Sequence, residues 1–153
     1  MDQQPAVRPT AITVAGIVLM VTGVLAALLG LVMMLAGTLL TGIGRDAGLT
    51  GSFAAFPAVV GTFIAVVGGI FLVFGVLEVF SGIYLLPGRG WARIMAIILS
   101  VLGGLVSLGG VLDARAGNGG VVIPLSFLAA YAFVIWAVWV HGRWFAGADK
   151  PTG

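Results

Sequence analysis

The chain has 153 residues, of which 61% are hydrophobic and 8% charged, with 25 glycines, no cysteine and a mean hydropathy of +1.23. A soluble domain carries about 25% charged residues, so 7 Lys+Arg and 5 Asp+Glu cannot cover a water-facing surface and the composition is that of a membrane protein. One His, five acids and no Cys leave few groups from which to build a polar active site, and nothing resembles a nucleic-acid patch.

The length suits one domain, here a single four-span membrane domain over 1–153. Its apolar residues fall into four blocks, 11–43, 57–86, 91–112 and 121–145, separated by the clusters of charge, Gly and Pro. Crossing a hydrocarbon core of about 30 Å takes roughly 20 helical residues, so each block predicts a transmembrane helix. None shows the alternation of a barrel strand. The first two blocks exceed the core thickness and must tilt or project, with Gly42–Phe56 between them as a small structured knob. Block one is too long for a cleaved signal region of 7–15 residues and reads as an uncleaved anchor. Arg8, Arg89, Arg93, Arg143 and Lys150 fall on one side of the spans, Arg45 and Arg115 on the other. That imbalance puts both termini in the cytoplasm. Trp91, Trp139, Trp144 and Tyr84 lie near the same ends, where amphipathic rings favour the headgroup layer.

Glycine recurs every seven residues. Block one has Gly16, Gly23, Gly30 and Gly37; block two has Gly61, Gly68, Gly75 and Gly82; block three has Ala96, Gly103 and Gly110. A seven-residue repeat holds one stripe toward a partner helix, and small residues there let backbones approach closely in lipid. In an antiparallel hairpin, residues at equal depth share a midpoint. The pairs Gly37–Gly61, Gly30–Gly68, Gly23–Gly75 and Gly16–Gly82 all centre on Leu49. Gly82–Ala96, Gly75–Gly103 and Gly68–Gly110 centre on Arg89, while Gly103–Ala130 and Ala96–Ala137 centre between Ala116 and Gly117. Each centre falls in a loop. The expected architecture is an all-α, antiparallel up-down-up-down four-helix bundle with Gly and Ala stacked in heptad layers.

Glu78 is the only acid inside a span. An ionisable group near mid-membrane is costly unless it faces the bundle interior or water, which makes it a functional-site candidate. Three residues after Gly75 and four before Gly82, it shares the glycine face. The register centred on Arg89 sets it opposite Ser100, whose hydroxyl could exchange a hydrogen bond with a protonated carboxyl. Arg93 leans the other way along its helix and is not the expected partner. Besides Glu78, the spans offer few side-chain hydrogen-bonding groups, among them Thr13, Thr22, Thr38, Thr62, Ser81, Ser100, Ser107, Ser126 and the tyrosines, which is sparse for a wet pathway inside one subunit.

His141 has neither a Cys nor a second His to share a metal or haem with. No nucleophile and base can be paired, so no enzymatic activity, metal or other cofactor is expected. Leu86-Pro87-Gly88-Arg89-Gly90-Trp91-Ala92-Arg93-Ile94-Met95-Ala96, together with the Arg8-Pro9-Thr10 entry into a Gly-rich span, resembles the corresponding segments of small, uncharacterised four-span bacterial membrane proteins. The resemblance implies a multi-pass protein of the bacterial plasma membrane and carries over no catalytic or binding residues. Two functions remain: a structural, accessory or self-assembling subunit that meets lipid, copies of itself or another membrane protein; and a homo-oligomeric channel or proton-coupled carrier with Glu78 and Ser100 as its ion or proton site.

Overall fold

A computed structural model describes residues 9–46, 52–117, 119–142 and 144–145, with backbone alone for 44–46 and 52–55. The described residues form four helices: α1 (Thr10–Asp46), α2 (Ser52–Leu85), α3 (Gly90–Arg115) and α4 (Val122–Val140). All four are long and apolar enough to cross a membrane. Their outward side chains are apolar almost throughout, Val32, Phe63, Ile94 and Val122 each being at least 60% exposed, as suits a hydrocarbon solvent.

Several helix ends differ from those read off the apolar blocks. The helical segments enter Gly42–Phe56 from both sides, α1 running to Asp46 and α2 starting at Ser52; 47–51 lie outside the described residues. Pro57 stands inside α2 and does not open it. Near a helix start proline removes one main-chain donor without requiring the helix to begin there. α3 continues past Leu112 through Asp113 and Arg115, because charge ends a hydrophobic run but not a helix. Gly117, at φ +92°, is what stops it, its N–H donating to Ala114 O at 3.2 Å. α4 ends at Val140, five residues short of Phe145. His141 leaves helical geometry there, its N–H and Nδ1 both within 3.2 Å of Ala137 O.

The α2–α3 turn is explained residue by residue. Gly88 adopts φ +80° and donates to Leu85 O at 3.1 Å, while Arg89 N–H reaches back to Tyr84 O at 3.4 Å. This nested pair satisfies two of the last carbonyls of α2 and needs the left-handed backbone that glycine adopts without strain.

The contacts group into two compact units that cut across the helices: one contains Met1–Thr22 and Glu78–Gly153, the other Gly23–Leu77. The first unit has a conventional core. Ile12, Ala15 and Leu19 of α1, Leu85 of α2, Ala96 of α3 and Val134, Ala137 and Val138 of α4 form one buried cluster with Phe145. The second unit holds the remainder of α1 and α2, and its only buried residues among those described are Gly23, Gly30, Gly37, Gly61, Gly68 and Gly75.

Candidate functional site

Within the first unit every helix contributes a buried polar side chain. Thr22 comes from α1, Glu78 and Ser81 from α2, Ser100 and Ser107 from α3, and Tyr131 from α4; Glu78 and Ser100 are wholly inaccessible. Glu78 and Ser81 stand one turn apart on one helix face, as do Ser100, Gly103 and Ser107. The Tyr131 phenol and the Thr22 hydroxyl both interact with the Glu78 carboxyl and with each other. Gly103 makes the phenol's position possible: a Cβ there would lie 2.7 Å from Tyr131 Cε2 and 2.8 Å from its hydroxyl oxygen.

Neither Glu78 oxygen completes a well-formed hydrogen bond, and Ser81 Oγ and Ser100 Oγ are equally unpartnered. The bond expected between Glu78 and Ser100 is therefore not made. The Thr22 hydroxyl spends its single proton on its own helix, donating to Val18 O at 2.9 Å and Leu19 O at 3.2 Å, so it turns lone pairs toward Glu78. Ser107 likewise donates to Gly103 O at 2.8 Å. Arg93 does not pair with the acid; its guanidinium lies 5.8 Å from the Phe145 ring centre.

The glycines of α1 and α2 meet in reciprocal pairs. A Cβ at Gly30 would stand 2.6 Å from Gly68 O, and one at Gly68 would stand 2.6 Å from Gly30 O. Gly37 faces Gly61 in the same reciprocal way, and Gly75 faces Gly23 O and Ala27. In the first unit Gly16 and Gly82 repeat the pattern, at 3.1 and 2.7 Å. Gly42, Gly69 and Gly109 have nothing within 4 Å of the position a Cβ would take.

The remaining glycines belong to the first unit. Gly82 has Gly16 and Met20 as its nearest neighbours, Gly103 has Tyr131, and Gly110 has Pro124 with a Cβ position 3.1 Å away. A helix with one glycine stripe gives it to one partner: that of α2 is taken up by α1, and the α3 notches receive α4 side chains. The α3 and α4 pairs Gly103–Tyr131 and Gly110–Pro124 both centre on Gly117, and Ala96 and Ala137 share the buried core.

Of the residues assigned to lipid and topology, Arg8, Arg143 and Lys150 lie outside the described residues. Arg89 sits 5.0 Å from the Tyr84 ring centre, and Tyr84 lies 5.0 Å from Trp91, a small aromatic and cationic cluster at the α2–α3 turn. Trp144 is half-buried. Its indole Nε1 is buried without a partner, 2.8 Å from where a Cβ at Gly88 would be. Among the described residues no three His, Cys, Asp or Glu side chains come together as a metal site would require.

Thr22 and Tyr131 are the members of the cluster that sequence reasoning did not single out. Tyr131 follows Ala130, which the α3–α4 register had already set opposite Gly103; a large ring beside a glycine on the facing helix is the signal that could have found it. Compared with known proteins, the chain matches no family model, no curated protein and no solved structure.

Proposed function

We infer that the chain is a non-enzymatic, multi-pass protein of the bacterial plasma membrane that serves as a structural, accessory or self-assembling subunit of a membrane complex. In this reading its helices run up-down-up-down with both termini cytoplasmic. The observation that carries it is the mismatch between α1 and the bilayer. Its 37 residues extend roughly 55 Å at about 1.5 Å each, and even a tilt of about 40° fits only some 40 Å of helix into a core of about 30 Å. The remainder lies outside hydrocarbon, and α2, with 34 residues, is in the same position. Yet both stay apolar to the ends they present to each other: Leu39, Ile43, Phe56 and Val59 are each more than 60% exposed. A continuous apolar surface of this kind beyond the hydrocarbon is an interaction surface. The native mass of the particle in lipid nanodiscs tests the reading. A defined homo-oligomer, or a second membrane polypeptide in fixed stoichiometry, is the expected result; a particle containing one copy and nothing else refutes it.

The buried cluster around Glu78 favours a second reading, an oligomeric channel or proton-coupled carrier. Ion flux into vesicles containing the wild type and its absence with Glu78→Gln would favour that reading.

A further inference from the structure

A groove between the start of α3 and the residues that follow α4 is lined by Gly90, Arg93, Ile94, Ile97, Gly142 and Phe145 and encloses about 350 Å3, the size of a small-molecule site. Arg93 is the one charged group in its lining. The guanidinium lies 5.8 Å from the Phe145 ring centre and so close to Gly142 that a Cβ there would stand 2.9 Å from Nη2. Arg93 is half-buried, yet among the described residues it makes no hydrogen bond or ion pair. No described acid is within reach: Glu78 leaves both oxygens unpartnered, and Asp113 stands roughly 30 Å further along α3. Contact with a ring uses none of the five N–H donors of a guanidinium. Fork and charge together call for an oxyanion, and phosphate fits such a fork with two parallel bonds.

The position of the groove decides which phosphate. Gly90 and Val140 end two segments apolar enough to cross a membrane, so the groove stands where hydrocarbon gives way to headgroups. Trp91 and Trp139, at the same two ends, are both exposed, as indoles in that layer are. Beside Arg93 the wall continues as Ile94 and Ile97, with Ile94 facing outward. A soluble anion would use the guanidinium and leave this apolar wall uncovered. A phospholipid uses both, its phosphate on Arg93 and its chain along the isoleucines. Arg89, one residue before Gly90, is a second base without an acid among the described residues, which favours a lipid of net negative charge over a zwitterionic one.

We propose that this groove binds the headgroup of a phospholipid of net negative charge, with Arg93 as the phosphate ligand and Gly142 as the gap that admits its guanidinium. The site does not depend on the assembly reading: one copy of the chain contains all of it, so either can fail alone.

The test uses the full chain in nanodiscs of mixed phosphatidylcholine and phosphatidylglycerol, with native mass spectrometry reading which lipid each released copy retains. The wild type prefers phosphatidylglycerol by about tenfold. Arg93→Gln abolishes the preference, and Arg93→Lys weakens it severalfold because an ammonium keeps the charge without the fork. Arg115→Gln, at the other end of α3, leaves it unchanged. No preference in the wild type, an undiminished preference in Arg93→Gln, or an equal loss in Arg115→Gln each overturn the proposal, the last by reducing it to surface charge. Displacement of the lipid by glycerol phosphate in the buffer also overturns it, since the groove would then take a soluble anion. Should Arg93→Gln not fold, Gly142→Ala and Arg93→Lys decide. The added methyl meets only the far end of the Arg93 side chain, so the helices keep their packing while the guanidinium is displaced and the preference falls; an unchanged preference in both variants refutes the site.

Discussion

The two units of this chain hold helices together by opposite means. In the unit containing Glu78, side chains interlock: Ile12, Leu19, Leu85, Val134 and Val138 fill one core, and the ring of Tyr131 enters the notch at Gly103. Among the described residues of the unit spanning Gly23–Leu77 nothing larger than glycine is buried, and main chain meets main chain at Gly30–Gly68 and Gly37–Gly61. The contrast follows from the solvent. Lipid tails compete with Leu and Val for one another, so burying them gains little. Contact at the backbone gains dispersion and Cα–H···O bonds that lipid cannot supply. A side-chain core is then needed only where polar groups must be shielded, and in this chain the buried core and the buried carboxyl occur in the same unit.

The sharpest way to break the comparison is to put a side chain where main chain meets main chain. Gly75→Leu forces the side chain against Gly23 O and Ala27 and should lose about 3 kcal/mol or more, since overpacking of smaller size already costs about 1–3. Gly109→Leu has nothing within 4 Å to meet and should unfold like the wild type. Unfolding of both variants in bicelles checks this, and equal losses would mean that the glycine contacts do not hold α1 and α2 together.

Next in size is the notch of the other unit. Gly103→Ala drives a methyl into Tyr131 and should destabilise by about 1–3 kcal/mol. The loss should shrink when Tyr131→Leu removes the ring, a coupling of about 0.5–3 kcal/mol in a double-mutant cycle. Additive losses would place Tyr131 elsewhere. Leu19→Ala, in the core, should cost about 1–2 kcal/mol, the cavity part of the usual penalty without its transfer part, whereas Leu39→Ala, 68% exposed, should change stability by less than about 0.5.

Four apolar helices were legible in the sequence because hydropathy and length together leave no other spanning structure for such blocks. Helix ends were less so: Gly117 and His141, not the last apolar residue, terminate α3 and α4, and block boundaries record polarity only. At the candidate site, the cost of a carboxyl in hydrocarbon singled out Glu78 without any knowledge of packing. Its surroundings were not legible. Ser100 was placed by assuming that the α2 stripe faces α3, but spacing alone cannot say which neighbour a stripe serves. Thr22 looked like any other span threonine, because its importance lies in where its one proton goes.

The same chemistry in the two units gives the finest test. Thr38 donates to Leu35 O at 2.8 Å and is exposed, so Thr38→Val exchanges an internally satisfied hydroxyl for a methyl facing lipid. Its effect on stability should stay within about 0.5 kcal/mol. Thr22 makes the same kind of bond, at 2.9 Å to Val18 O, but is buried beside Glu78. Thr22→Val replaces with a methyl the lone pairs that the Tyr131 phenol beside Glu78 can use as an acceptor, and leaving a buried donor without its acceptor costs about 1–3 kcal/mol. Measured side by side in bicelles, Thr22→Val should therefore lose at least about 1 kcal/mol more than Thr38→Val. If the two lose the same, the Thr22 hydroxyl does no more than bond to its own helix, and the polar cluster of the first unit contracts to the three helices that carry Glu78, Ser100 and Tyr131.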